Sequence, residues 1–300
     1  MRRSSKGQIE LTIVAMLIRI VQHIPLWRIF DDPKSALDVT AFYLGELSVK
    51  QRRTIAVMVN CQRLASRYLF KRIAILPHLP VSELIRCDFS ESFEDAIQNR
   101  RPKIIVAWHC GIVPCLFKGL AKLDQPTMII KSPEAYSTLV DGLDVQMTSQ
   151  SDNSNSFAHG IMMKRIVDRL KSGENLLTFL DGTDGNSSLP VRFFGQKILL
   201  ERGTAHIARL SGAEIFPCVS YWDEIQGEFV VEVCDRLVPN KPEEPGDYTE
   251  TDRVLLHALA GWFENYLRQH PECLTGASDW IVKYSNRSLN PSHQQEAQVS

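Results

Sequence analysis

The sequence predicts an α/β protein in which a mixed, mostly parallel sheet is flanked by helices. Short apolar runs, typical of buried strands, alternate with longer helical patterns through the middle of the chain. The clearest run, from Lys103 to Trp108, is apolar at every position after the first, as a strand covered on both faces requires. The strand candidates are residues 104–108, 127–131, 175–180, 213–221 and 228–234.

Most of the predicted helices carry a start or stop signal. Ser90 or Ser92 can cap the second helix, and acidic residues in its first turn suit the positive end of the helix dipole. Pro114 is acceptable only in the first turn of the third helix, and glycines end the fourth and fifth. The predicted helices are residues 35–72, 88–99, 112–123, 157–171, 199–211 and 254–269.

These elements form one predicted domain, because no linker or internal repeat divides them. The domain covers residues 31–285, with a helical segment 1–30 before it and a polar tail 286–300 after it. A chain of 300 residues, of which 44% are apolar, can bury a core of this size.

The segment 1–30 predicts a helix that lies on a membrane surface. A basic, polar start precedes a strongly apolar run, in which Leu11 and Val14 are spaced for one helical face. Glu10 and Arg19 interrupt this run, which therefore lacks the ~20 apolar residues of a membrane-spanning helix. An ordinary core helix of a soluble protein is the alternative.

Composition argues against several classes of protein. The formal net charge is −1, whereas nucleic-acid-binding proteins normally have a basic excess, so we expect no nucleic-acid partner. Seven cysteines without a Cys-x-x-Cys pair argue against a disulfide framework or a structural zinc site. Basic clusters such as residues 63–72 are either solvated helix faces or a cationic surface for anionic lipids or an acidic carrier protein.

Two polar residues directly follow predicted strands. His109 comes after the first candidate strand, and Asp181 comes after the third. Because the carboxyl ends of parallel strands lie at one edge, where ligands bind, we expect both residues there. A histidine in this position is a candidate general base. Its neighbours Cys110 and Gly111 are candidate substrate-binding residues.

Four segments, taken in order, carry a family resemblance. Trp108-His-Cys-Gly111 stands where the family has His-Phe-Gly. Phe179-Leu-Asp-Gly-Thr-Asp184 stands where one branch has Phe-Pro-Glu-Gly-Thr-Arg and another has Pro-Asp-Gln. Pro190-Val-Arg-Phe-Phe-Gly195 resembles Val-Pro-Phe-Phe-Gly, and Arg268-Gln-His-Pro-Glu272 with Trp280 resembles a Pro-Glu-Gln-Trp ending. The chain thus resembles the lysophospholipid acyltransferase superfamily, most closely its bacterial lipid A lauroyl/myristoyl acyltransferase branch.

The resemblance implies transfer of a fatty acyl group from an acyl-carrier-protein or coenzyme A thioester to a hydroxyl of a lipid or glycolipid, as in lipid A-type synthesis. It implies no cofactor or metal besides the donor substrate, and a peripheral place on the cytoplasmic face of the bacterial inner membrane. The family's base is a histidine paired with an acid five positions later. Backbone N–H groups near the start of the next helix can stabilise the oxyanion.

The chain departs from this pattern at Pro114, five positions after His109, because proline cannot orient an imidazole. Three explanations are open. His109 works with Asp181 or Asp184, or alone. Alternatively, Cys110 is the nucleophile and His109 is its base. In the third, the transferase chemistry is lost and a lipid-binding protein remains.

Asp184 stands where the phosphate-binding branch of the family has arginine. A carboxylate repels a phosphate monoester, so a neutral, sugar-like or amine acceptor is favoured over lysophosphatidate. Asp181 and Asp184 each precede a glycine, however, and turn formation is the structural alternative for both.

The remaining candidate residues also have structural alternatives. Phe193, Phe194 and Gly195 are either a wall for the acyl chain or core packing with a turn glycine. Arg192 either contacts a phosphate of the carrier's prosthetic group or is merely exposed. For the whole chain, the alternatives are a catalytically inactive lipid or acyl-carrier binding module, and an acyltransferase of secondary metabolism that acylates an amine or a small hydroxyl compound.

Overall fold

The computed structural model describes residues 9–16, 44, 47–75, 81–131, 143–147, 156–181, 188–238 and 248–275. Its strands are β1 (Ile85–Phe89), β2 (Lys103–Ala107), β3 (Thr127–Lys131), β4 (Asp144–Met147), β5 (Asn175–Phe179), β6 (Ser188–Phe193), β7 (Gln196–Glu201), β8 (Glu214–Asp223) and β9 (Glu228–Val233). Seven of them form one sheet in the order β1-β9-β8-β2-β5-β3-β4. Neighbours in this sheet are parallel except β8 and β9. The predicted α/β class with a mostly parallel sheet is therefore confirmed.

Helices cover both faces of the sheet. They are α1 (Val49–Ile75), α2 (Glu91–Gln98), α3 (Val113–Leu120), α4 (Ser156–Lys171), α5 (Gly203–Ser211) and α6 (Tyr248–Gln269). Helices α1, α2 and α3 cover the face that includes Ile105 and Ala107. The other face, with Ile104 and Val106, packs against α4, α5, α6 and the β6–β7 hairpin. Because successive strand residues point to opposite faces, β2 is buried on both sides.

Local sequence signals begin and end several helices as expected. Ser90 caps α2, since its hydroxyl oxygen accepts the N–H of Phe93 at 3.3 Å. Pro114 lies in the first turn of α3, where a missing N–H costs no helical hydrogen bond. Gly212, with a φ of +68°, ends α5 in the left-handed conformation.

Two predictions of local structure are wrong in part, and strand β4 was not predicted. Residues 88 and 89 end β1 instead of beginning a helix, because β1 is an outermost strand of the sheet and pairs with β9 along its whole length. Residues 199–201 belong to β7 instead of a helix, because this segment pairs with β6 and buries Ile198 and Leu200 in a period of two. Strand β4 escaped prediction because four residues are too few to show a clear pattern of apolar positions.

The N-terminal helical segment is described over residues 9–16, and there its buried face is the one that was expected to contact a membrane. Leu11 and Val14 pack into the core beside α1, so the face expected to rest on a membrane contacts the protein over this stretch. Among the described residues, no helix is both long and apolar enough to cross a bilayer. The exposed row on the other side consists of Ile9, Ile13 and Met16.

Several predictions fall outside the described residues. Asp184 lies there, as do Trp280 and the proposed domain boundaries after residues 30 and 285. The roles assigned to these positions stay predictions.

Candidate active site

His109 and Asp181 meet at the carboxyl edge of the sheet. Strands β2 and β5 are parallel neighbours, with Ala107 opposite Phe179. The pairing continues for one step, because the N–H of Leu180 donates to the carbonyl of Ala107 at 2.9 Å. His109 and Asp181 each stand two positions beyond the Ala107–Phe179 pair, so strand register brings them together.

The carboxylate of Asp181 contacts His109 twice. Its Oδ1 accepts the backbone N–H of His109 at 3.1 Å and lies 2.9 Å from Nδ1 of the ring. The side chain of Asp181 is 2% exposed, whereas that of His109 is 41% exposed. An ionised Asp181 accepts the Nδ1 proton, which leaves the basic lone pair of the neutral ring on Nε2. This is the arrangement that a general base requires.

Phe179 is a neighbour of His109 to which the sequence assigned no role. Its ring stacks on the imidazole, with centroids 4.2 Å apart and planes inclined by 19°. Phe117 of α3 packs edge-on against Phe179, at a centroid distance of 5.9 Å. The signal that could have found Phe179 is its place two residues before Asp181, since such residues share a face of an extended chain.

Gly111 makes the turn after His109 possible. Its φ is +66°, and a Cβ at this position would lie 1.8 Å from the carbonyl oxygen of Ser220. The Gly111 N–H donates to the carbonyl of Cys273 at 2.8 Å, and the hydroxyl of Thr275 donates to the Gly111 carbonyl at 2.7 Å. The turn is therefore held between β8 and the segment after α6, which gives Gly111 a structural role.

The N–H groups of residues 109–112, the nearest candidates for stabilising an oxyanion, all bond to oxygens of the protein. Besides the two bonds described above, the N–H groups of Cys110 and Ile112 donate to the carbonyls of Trp108 and Ser220, at 2.6 and 2.9 Å. Each of these four groups would have to break a hydrogen bond before it could stabilise an oxyanion. The expected donors at the start of α3, which begins at Val113, stay a prediction.

Cys110 is buried rather than presented beside the base. The residue is 2% exposed, and burial, assisted by the charge of Asp181, raises the pKa of its thiol. A cysteine attacks a thioester as the thiolate, so this environment argues against Cys110 as a nucleophile. Its contacts belong to the core that also contains Trp108 and Phe193.

The candidates Arg192, Phe193, Phe194 and Gly195 form the end of the β6–β7 hairpin. Phe193 is buried and stacks on Trp108, with centroids 4.4 Å apart. Phe194 and Gly195, with φ values of +48° and +75°, form the two-residue turn, and Arg192 is exposed. This packing lies in the core opposite to the one that Phe179 contacts. It favours the structural alternative, and substrate binding by these residues stays a prediction.

Comparisons with known proteins show a loose structural likeness. No protein-family model matches the chain, and no curated protein matches it. The crystal structure of the 1-acyl-sn-glycerophosphate (LPA) acyltransferase PlsC from Thermotoga maritima is similar over 87% of this chain and 98% of that chain, with 11% identity and a TM-score of 0.36. A likeness this loose carries no argument about function, which depends here on the geometry around His109.

Proposed function

We propose that this protein is an acyltransferase whose general base is His109, oriented by Asp181. The 2.9 Å contact between His109 Nδ1 and Asp181 Oδ1 carries the proposal. It supplies, from a neighbouring strand, the acid that Pro114 cannot provide. The partial exposure of the imidazole allows a substrate to reach it, and the sequence resemblance to acyltransferases supports the class of reaction.

In this reaction the donor is an acyl-carrier-protein or coenzyme A thioester, and the acceptor is a hydroxyl or amine of a lipid or glycolipid. Nε2 of His109 takes the acceptor proton while the acceptor oxygen or nitrogen attacks the thioester carbonyl carbon. The new bond to carbon forms, the carbon–sulfur bond breaks, and the departing sulfur takes the proton from the imidazolium. Asp181 stabilises the imidazolium between these steps.

The acceptor in this proposal carries no phosphate monoester at the reacting end. The argument is the carboxylate at Asp184, where a phosphate-binding relative would have arginine. A competition assay tests it: an uncharged lysolipid analogue should bind more tightly than lysophosphatidic acid of the same chain length. Tighter binding of lysophosphatidic acid would overturn this assignment.

The proposed setting is lipid A-type lipid synthesis at the cytoplasmic face of a bacterial inner membrane, with the protein bound to the membrane surface. Its lipid-facing surface combines the exposed row of the N-terminal helical segment with the tip of the β8–β9 turn. The N-terminal helical segment and this turn contact each other, because a Cβ at Gly227 would lie 3.2 Å from that of Ala15. Exposed apolar side chains grouped in this way suit a bilayer. The lipid-facing surface consists of Ile9, Ile13, Met16 and Ile225.

The β8–β9 turn of this proposed surface lies toward the end of the sheet that carries His109. Strand β8 runs parallel to β2, so the turn that follows β8 extends from the edge at which β2 ends. A bilayer resting there would bring acceptor lipids to the side of the protein that holds the base, which supports the choice of a lipid acceptor.

The central experiment is acyl transfer by the purified protein with acyl-carrier-protein or coenzyme A thioesters. His109→Ala should abolish both transfer and thioester consumption. The matched control is His257→Ala, which removes an exposed histidine of α6 and should leave the rate unchanged. Equal rates in wild type and His109→Ala would remove His109 from the mechanism.

The second candidate is a lipid or acyl-carrier binding module without turnover, which the proline at position 114 favours. It predicts tight acyl-chain binding that is the same in wild type and His109→Ala, with no product in either. An acyltransferase of secondary metabolism is the third candidate. It would instead turn over a soluble amine or a small hydroxyl compound without vesicles.

A further inference from the structure

The contact between His109 and Asp181 supports the imidazole only at its edge. The hydrogen bond at Nδ1 and the covalent bond to Cβ restrain two corners of the ring, but neither packs against its face. The side chain of His109 is 41% exposed, so solvent borders much of it and offers no rigid support. A general base needs its lone pair held in one direction, because proton transfer depends on alignment.

Phe179 supplies the missing support. Its ring lies nearly parallel to the imidazole, at 4.2 Å between centroids and 19° between planes. A flat contact of this kind resists tilting of the imidazole plane. Phe117, which is buried, packs edge-on against Phe179 with 68° between the planes, so the stack contacts α3.

The same stack has an electrostatic effect during the reaction. When His109 accepts a proton, its ring becomes a cation lying over the face of an aromatic ring. Cations within about 6 Å of an aromatic centroid are attracted by the negative face of the ring. At a partly exposed site this attraction corresponds to about a two- to fivefold change in an equilibrium or rate. It favours the imidazolium, the species formed in the transition state, over the neutral ground state.

We infer that Phe179 is a positioning residue for the base: it holds the imidazole plane and stabilises the imidazolium. The inference rests on the proposed function, since it concerns the same histidine. Asp181 fixes which nitrogen is basic, and Phe179 fixes where that nitrogen points. Phe179 is the last residue of β5, and Asp181 follows it by two positions. The end of one strand therefore positions both the acid and the aromatic ring.

The kinetic test compares Phe179→Leu, Phe179→Tyr and a control. Phe179→Leu should lower kcat about fivefold or more, with the KM values of donor and acceptor within about twofold of wild type. Phe179→Tyr keeps the aromatic face and should restore kcat. The control is Phe93→Leu, which truncates a fully buried phenylalanine of α2 that contacts Phe89 of β1 and Phe216 of β8. It should leave kcat unchanged, even where it lowers the melting temperature.

A second measurement is independent of activity. In the protein without substrate, the aromatic ring current of Phe179 should shift the imidazole proton resonances of His109 upfield. Phe179→Leu should move them downfield, and Phe93→Leu should leave them in place. Unchanged His109 resonances in Phe179→Leu would show that the rings are not stacked and would overturn the inference. Shifted resonances with an unchanged kcat would overturn the positioning role.

The two measurements separate this inference from the proposed function. A wild-type protein that transfers no acyl group overturns the proposed function, while the resonance shifts still decide whether Phe179 holds His109. Loss of turnover in His109→Ala together with wild-type kcat in Phe179→Leu leaves the proposed function standing and removes Phe179 from it.

Discussion

The Nδ1 atom of His109 lies 2.9 Å from Oδ1 of Asp181, although the two residues are 72 positions apart. Each stands two residues beyond the pair formed by Ala107 and Phe179 at the ends of β2 and β5. Pro114 stands five positions after His109, where the acyltransferase family that the sequence resembles has an acid. A neighbouring parallel strand thus provides a carboxylate at the same sheet edge.

Substitutions at Asp181 and Asp184 should show which of the two candidate aspartates orients His109. Asp181→Asn keeps the shape but removes the negative charge, and kcat should fall between about 100- and 10,000-fold with little change in KM. Asp184→Asn should leave kcat close to the wild-type value. Steady-state kinetics with a saturating thioester donor measure both. A large loss in Asp184→Asn beside a normal Asp181→Asn would assign the acid to Asp184 instead.

The turn after the base should tolerate no side chain. Gly111→Ala places a Cβ 1.8 Å from the Ser220 carbonyl oxygen, so both the turn and the orientation of His109 must change. Gly212→Ala is the matched control, since its φ is +68° against +66° and nothing lies within 4 Å of its Cβ. The control should lower the free energy of unfolding by about 1 kcal/mol, and Gly111→Ala by about 2 kcal/mol more.

Urea unfolding followed by circular dichroism measures this difference, and acyl transfer measured on the folded fraction shows its effect on the site. Gly212→Ala should retain activity, whereas Gly111→Ala should lose it. Equal stability losses in the two variants would contradict the close contact with Ser220.

The lipid-facing surface predicts which side chains hold the protein on vesicles. Ile13→Asp and Ile225→Asp should each reduce co-sedimentation with anionic vesicles about tenfold, because a charge replaces an apolar contact with the bilayer. Ile161→Asp on α4 is the control, since Ile161 is 54% exposed and Ile13 is 53% exposed. Equal binding by all three variants would place the membrane contact elsewhere. A change in oligomeric state in the first two variants alone would indicate a second copy of the chain as the partner.

The burial of Lys103 predicts that the stability of the protein depends on pH. Lys103 begins β2, whereas His109 follows the other end of this strand. The residue is fully buried at the start of β2, and its Nζ donates to the Arg101 carbonyl at 2.9 Å. Burial, followed by the charge of Arg101, lowers the pKa of this lysine from 10.5 to about 8. Between these pH values the unfolded chain binds more protons than the folded one. The free energy of unfolding should therefore rise with pH, by at most about 3 kcal/mol from this group.

Urea titrations across that pH range, on wild type and Lys103→Met, isolate this effect. The rise should be smaller in Lys103→Met, because methionine does not titrate. The control variant is Lys122→Met. It also removes a hydrogen bond from a lysine to a backbone carbonyl, that of Ile85, so it shows how much stability the loss of such a bond costs near pH 7. Identical slopes in wild type and Lys103→Met would show that Lys103 is not protonated differently in the two states.

The α/β class could be predicted because its strands bury both faces. The run that became β2 is apolar throughout, and helical patterns separate it from the next strands. The β6–β7 hairpin could not be predicted, because residues 199–211 combine a strand end with a helix that begins at Gly203. Strand β1 was missed since its pairing with β9, more than a hundred residues away, is a long-range contact.

The site divides in the same way. By itself, the sequence determined that a histidine follows a buried strand, and that Pro114 stands where the next helix would otherwise supply an acid five positions later. Both facts are local, because they depend on neighbouring residues and on the preference of proline for a first helical turn. Only the tertiary structure decided that Asp181 contacts Nδ1 and that Phe179 stacks on the ring. Those contacts depend on the register of two strands far apart in the chain, which is set by packing across the whole sheet.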